Sequence, residues 1–158
     1  MEQQDKRSQA TGHIQVLDRD ACLALLSTVA VGRIAWTAPG TDALEIVPVN
    51  FVLDDDGIAF RTEKGGKLDA IEHGVPLIFE ADDTEPALHV GWSVVLTGRA
   101  EVVTDPGQVR RLERIVGAPW VAMAEPVFVR LSLNEISGRR LPLHPGGVIA
   151  PSAEDRGF

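Results

Sequence analysis

The stretch FRTEKGGKL, residues 60–68, gathers Arg61, Lys64, Lys67 and the hydroxyl of Thr62 around two glycines. Those residue types suit an anion. A phosphate dianion needs several donors and positive charge, and hydrogen bonds from charged donors are the strong kind. Arg61 offers a planar fork and Lys67 a point charge. Gly65 and Gly66 let a backbone approach closely, and Lys67 falls where a starting helix presents free N–H groups. A period of two sets one condition: Arg61 and Thr62 leave a strand on opposite faces, so Thr62 reaches the same anion through its backbone N–H unless the strand has ended. By residue type alone, a set of solvated loop charges explains the stretch equally well.

A second group lies upstream, in LEIVPVNFVL (44–53). Pro48 donates no ladder hydrogen bond, so within a strand it marks an edge or a bulge, and a plain edge strand is the simpler account. Leu44, Ile46, Pro48, Asn50 and Val52 fall on one face, Val47, Val49, Phe51 and Leu53 on the other. Both faces are largely apolar, which an antiparallel sheet with one side in water does not sustain. The second face therefore needs a cover: a partner subunit, a flat aromatic ligand, or the chain's own helices.

Other constellations are poor. His13, His73, His89 and His144 are scattered, and none pairs with Cys22 or a carboxylate at metal-ligand spacing. Ser27, Ser93 and Ser132 lie in no nucleophile-elbow pattern. ADDTE (81–85) has acidic side chains enough for a divalent ion but reads as a solvated turn. Cys22 falls on the apolar face of a short helix and reads as core.

The elements that must position these groups follow from pattern. Asp18 caps a helix with Cys22, Leu25, Leu26 and Val29 on one face. Strands are predicted over 31–37, 44–53, 57–62, 75–82 and 89–103, the last bending at Gly98, and PVFVRLSL with EISGRRL reads as a closing hairpin. Lys67 to His73 is a short helix with Leu68 and Ile71 inward. Asp105 and Pro106 start another, with Val109, Leu112 and Val116 on its face. The expectation is a mostly β fold of six or seven antiparallel strands with short helices at the ends.

The 158 residues suffice for one domain, expected over 17–141 with tails at 1–16 and 142–158. A net charge of −8 repels a polyanion, and no basic stripe offsets it, so nucleic acid is not an expected partner. The single cysteine excludes a disulfide framework and fits a reducing compartment; no apolar run approaches a membrane span and no signal peptide is evident, so a cytoplasmic location is expected.

The succession VPVNF, a short Asp-Gly hairpin, FRT, GGKL, and later GWSVVLTGRAEVV with a closing ISGRR resembles the pyridoxamine 5'-phosphate oxidase-like, FMN-binding split-barrel family over roughly residues 17–141. The likeness is greatest to its small actinobacterial-type members. It implies a Greek-key split β-barrel that forms a homodimer with FMN at the subunit interface. It also implies that Pro48, Val49, Asn50 and Phe51 contact the isoalloxazine ring. Arg61, Thr62 and Lys67 carry over as phosphate ligands, with Gly66 and Leu68 beside them in the cofactor-binding set, while Trp92 and Ser93 reach the flavin from the partner subunit. The oxidases proper place a basic residue at each end of the segment that here reads Ile46 to Phe51, and carry a C-terminal Arg-x-His motif. This chain has neither, so conversion of pyridoxamine phosphate itself is not expected. The implied function is an FMN-dependent oxidoreductase acting on a small molecule, with no catalytic side chain singled out. The alternative is a non-catalytic dimer that binds or sequesters flavin, deazaflavin or haem.

Overall fold

The computed structural model describes residues 14–141; of the tails expected at 1–16 and 142–158, residues 1–13 and 142–158, with His13 and His144, lie outside the described residues, whereas residues 15 and 16 enter a strand. Its helices begin where their caps dictate. Asp18 accepts the Ala21 N–H at 2.8 Å and starts α1 (Arg19–Leu26), which buries Cys22 and Leu26. Asp105 accepts the Gln108 N–H at 2.8 Å, Pro106 follows in the first turn, and α3 (Pro106–Val116) buries Leu112. The third, α2 (Gly66–Glu72), starts at Gly65 with no side-chain cap and buries Ala70 and Ile71.

Nine antiparallel strands form one curled sheet: β1 (Gln15–Leu17), β2 (Val31–Thr37), β3 (Leu44–Asp54), β4 (Gly57–Thr62), β5 (Leu77–Glu85), β6 (Val90–Gly98), β7 (Ala100–Val102), β8 (Val127–Ser132) and β9 (Ile136–Leu141), in the order β1-β9-β6-β5-β2-β3-β4-β8-β7. The chain runs from β6 into β7 across Arg99 alone, yet the two strands lie far apart in that order. Only a sheet that curls back on itself allows this, which is the split-barrel form.

Four sequence expectations are corrected here. The count is nine, not six or seven, because Gln15–Leu17 pairs with β9 and because the strand read over 89–103 divides at Gly98 and Arg99. The closing hairpin does not form: β8 pairs with β4 and β7, β9 with β6 and β1. Residues 81–85 are strand rather than turn, paired through Glu85 with Val90. Finally, β3 is not a plain edge, since β2 and β4 both bond to it, but they do so over different halves.

The core fills the inside of the curl. Phe51 meets Phe79 edge-on at 4.8 Å between centroids. Gly32 is obligatory in this layer, because a Cβ there would come within 2.3 Å of the Phe79 ring. A second, smaller cluster lies outside, where α3 seats Leu112 on Ala59 of β4 and Phe128 of β8, with Val52, Val109 and Val116 around them. Thus β4 is buried on both faces from Gly57 to Phe60.

Asp54 anchors that outer layer. Its side chain is fully buried and is gripped by Arg130 at 2.6 Å and Arg111 of α3 at 2.7 Å. Burial pushes its carboxyl up, but Arg130, the Asp55 N–H and Arg111 together outweigh that and hold it below the usual carboxylate value. A depressed carboxyl stabilises the fold fully above the unfolded pKa, and that contribution disappears as pH falls through the lower folded value.

The outer face of β3, β2 and β5 stays bare. Ile46, Ala35 and Ile78 lie side by side across the three strands, and Leu44, Ile46 and Ile78 are 84%, 65% and 48% exposed. Of the covers the sequence left open, α3 reaches only the Val52 end of this row.

Replacing Asp54 with Ala leaves two cations facing each other over an empty site and is expected to cost about 3–5 kcal/mol in denaturant unfolding. Asp55→Ala, at a carboxylate 90% exposed, should stay within about 0.5 kcal/mol. Equal losses for the two variants would remove Asp54 from its anchoring role.

Candidate functional site

Two strands and a turn converge on one cleft. The first contributor is β3. Phe51 donates its N–H to Ala30 O at 3.1 Å, so ladder alternation turns positions 49 and 47 toward β2 and positions 48 and 50 away from it. Because β4 pairs only with Phe51–Asp54, residues 44–50 have a free side. Pro48 sits there, where its missing N–H costs no bond.

The second contributor is β4, whose alternation places Arg61 on the α3 side and Thr62 inward. The Arg61 guanidinium lies over the Phe128 ring at 5.0 Å and donates from Nη2 to Gly117 O at 2.9 Å. Its Nη1 is buried with no hydrogen-bond partner among the described residues. A guanidinium donor withheld from water without an acceptor is costly, and an anionic acceptor beside it would relieve that cost.

The third is the Gly65–Gly66 turn, where a side chain added at Gly65 would meet nothing within 4 Å. Lys67 follows, half-buried, with Nζ 5.5 Å above the Phe60 ring. Burial pushes its pKa below the ordinary lysine value, and no carboxylate pairs with it among the described residues. Burial thus disfavours the charged form of Lys67, and a neighbouring anion would favour it.

Of the sequence-derived candidates, the structure brings Pro48, Val49, Asn50, Phe51, Arg61 and Lys67 together around a cleft of about 310 Å³, near the lower end for small-ligand sites. Gly66 opens α2 beside the cleft, 3.9 Å from Trp36 Cζ2 measured from its would-be Cβ. Thr62 is 3% exposed, with Oγ1 donating to Glu63 O at 3.4 Å, so its hydroxyl faces the interior. Leu68 is half-buried on α2 and does not line the cleft. Trp92 and Ser93 lie on β6 in a separate groove with Arg139 and Arg140; within one chain they do not join the others.

Sequence reasoning missed the opposite wall. Val116, Ala118, Pro119, Trp120, Val121 and Met123, at the end of α3 and in the segment after it, face β3 across the cleft. The signal available was an aromatic residue in a Gly-Ala-Pro-Trp run just past an amphipathic helix. Trp36 was missed too: its indole Nε1 is buried without a partner. Among the described residues no His, Cys, Asp and Glu cluster could hold a metal ion, and no helix is long and apolar enough to cross a membrane.

Comparison with known proteins bears on the family and the fold. The family model for pyridoxamine 5'-phosphate oxidase matches residues 18–140. An uncharacterized protein of Mycobacterium tuberculosis is 36% identical over 138 residues, 84% of this chain and 89% of the relative. The structure of the FAD binding protein from Mycobacterium smegmatis superposes with a TM-score of 0.67 at 34% identity, covering 82% of this chain and 99% of that one. A conserved protein of unknown function from Corynebacterium diphtheriae does so at 0.66 and 36% identity, covering 82% and 98%.

A desolvated, unpaired lysine is a liability to the empty protein. Lys67→Met should raise the thermal midpoint of the ligand-free chain by about 2–4 °C, the shift that roughly 1 kcal/mol makes in a domain of this size. Calorimetry finding a lower midpoint would place Lys67 in a stabilising role instead.

Proposed function

The chain belongs to the pyridoxamine 5'-phosphate oxidase family, and from that premise we propose that the cleft between β3 and the Gly65–Lys67 turn binds the phosphorylated isoalloxazine of FMN in a homodimeric oxidoreductase. The observation that carries this reading is the buried, unpartnered Nη1 of Arg61. Lys67 lines the same cleft as a second cation. Together they suit a phosphate, and the stretch of β3 from Pro48 to Phe51 supplies a side of the cleft along which a flat ring could lie. On the free side of β3, the backbone N–H and C=O of Asn50 are available to the polar edge of that ring. The similar Mycobacterium smegmatis protein binds FAD, which shares with FMN the ring, ribityl chain and first phosphate, and the assignment here is to that shared unit.

A flavin supplies hydride and electron transfer. The chain's part is to hold the phosphate, orient the ring against β3 and keep water from it. Among the described residues lining the cleft, Arg61 and Lys67 are the ionisable ones, and both are assigned here to the phosphate rather than to proton transfer.

The homodimer answers two observations. The Ile46–Ala35–Ile78 row is bare, and Trp92 with Ser93 lies away from the cleft that the family resemblance would have it complete. A second copy seated on the bare face covers the first and supplies the second. Beside the row, Arg33 donates to Glu80 at 3.0 Å and Asp82 at 2.7 Å, a polar strip that would fix the register of the two copies.

Arg61→Ala and Lys67→Ala should each weaken FMN binding by about 1.5–3 kcal/mol, the scale of a charged hydrogen bond, and Lys67→Ala should leave riboflavin, which has no phosphate, nearly unaffected. Equal losses for both ligands in a fluorescence titration of Lys67→Ala would move the phosphate elsewhere. The wild-type protein should sediment as a dimer at micromolar concentration and oxidise NAD(P)H when supplied with FMN; binding without turnover would leave the non-catalytic alternative standing. Ile46→Lys, a change at a side chain already 65% exposed, should sediment as a folded monomer, and an intact dimer would exclude this face.

A further inference from the structure

We propose that Trp120 is the stacking residue that covers the second face of the bound ring, carried on a segment that Arg61 and Glu63 clamp to the phosphate turn. The inference rests on the flavin reading above and adds to it a binding residue outside the motifs that carried the resemblance.

Three observations support it. Trp120 is 71% exposed, yet it lines the same cleft as Pro48, Asn50 and Phe51. An indole left in water at the mouth of an apolar cleft gains most when a planar partner enters, through both burial and offset stacking. The segment holding it is also tied at both ends to the same turn. Gly117 O accepts from Arg61 Nη2 at 2.9 Å at one end, and Ala124 N donates to Glu63 Oε2 at 2.9 Å at the other. Only residues 118–123 lie between the two ties, so Trp120 is held over the cleft rather than free to swing into solvent.

The third observation concerns Arg61 itself. One guanidinium nitrogen holds the loop while the other is buried without an acceptor. A phosphate taken by Nη1 leaves the bond from Nη2 to Gly117 in place, because the planar fork directs the two donors separately. The same side chain can therefore hold the anion and the clamp at once. Gly117 makes the bend into the segment at a φ of 66°, a conformation that favours glycine.

The test uses the full chain with FMN, in three forms: wild type, Trp120→Ala and Trp120→Phe. In the wild type, indole stacked on the ring quenches flavin emission. Trp120→Ala should weaken FMN binding roughly 5- to 100-fold, the span seen when an aromatic platform is removed from under a planar base. Trp120→Phe should bind within about threefold of wild type, since a phenyl ring still stacks, yet bound FMN should emit more brightly without the electron-rich indole. Circular dichroism and the thermal midpoint of the ligand-free variants should match wild type, Trp120 being a surface residue. Wild-type affinity and unchanged bound-state emission in Trp120→Ala would overturn the stacking role while leaving the flavin reading intact. Failure of the wild type to bind FMN or FAD would overturn both.

Discussion

The structure turns on β4, a strand with no face for water. Inward, Ile58 and Phe60 enter the core of the curled sheet; outward, Ala59 lies under Leu112 of α3. A strand buried on both sides has no freedom to slip, because a shift of one residue would exchange the two sets of neighbours. Its end is therefore a fixed point. Arg61 emerges on the α3 side against Phe128, where the aromatic face and Gly117 O hold its guanidinium. Four residues later, Gly65 begins the glycine turn that leads into α2. The cations proposed to grip a phosphate are thus placed by packing that involves no ligand, and the site is preformed to that extent.

The same layer sets the opposite wall of the cleft. Asp54 links the β3–β4 turn to α3 through Arg111 and to β8 through Arg130. A buried ion cluster adds little net stability by itself, yet it is intolerant of losing a member, so it serves register better than strength. What it registers is the direction of α3, whose C-terminal end delivers Val116 and the Gly117–Met123 segment to the cleft. Stability and site geometry are coupled here through one carboxylate about which binding chemistry says nothing.

Much of this was readable in the sequence, and the failures share a cause. Caps are local, so Asp18 and Asp105 marked their helices correctly. Alternation is local too, so the faces of β3 and the divergence of Arg61 from Thr62 were foreseen; the interior position of the Thr62 hydroxyl follows from that same period of two. Partner choice is not local. Nothing in PVFVRLSL or EISGRRL says that two strands joined by a few residues will pair with strands elsewhere, nor that β6 continues into a strand at the far end of the sheet order. The three-residue β1 was hidden because so short a run has no period. The Gly117–Met123 wall escaped for a related reason: a segment without periodicity declares its function only through what it faces.

Pro48 shows how one residue can serve two ends. The free side of β3 between positions 44 and 50 is an unpaired sheet edge inside a protein that also leaves Leu44 and Ile46 exposed. Such an edge invites a strand from another chain. A proline whose missing N–H points to that side breaks the run of donors a fourth-party strand would need, while the Asn50 backbone groups two residues on remain available. The edge is thus poor for β-addition and suitable for a small ligand with one polar rim. If the proposed dimer forms, it must therefore form face to face through the apolar row, not edge to edge.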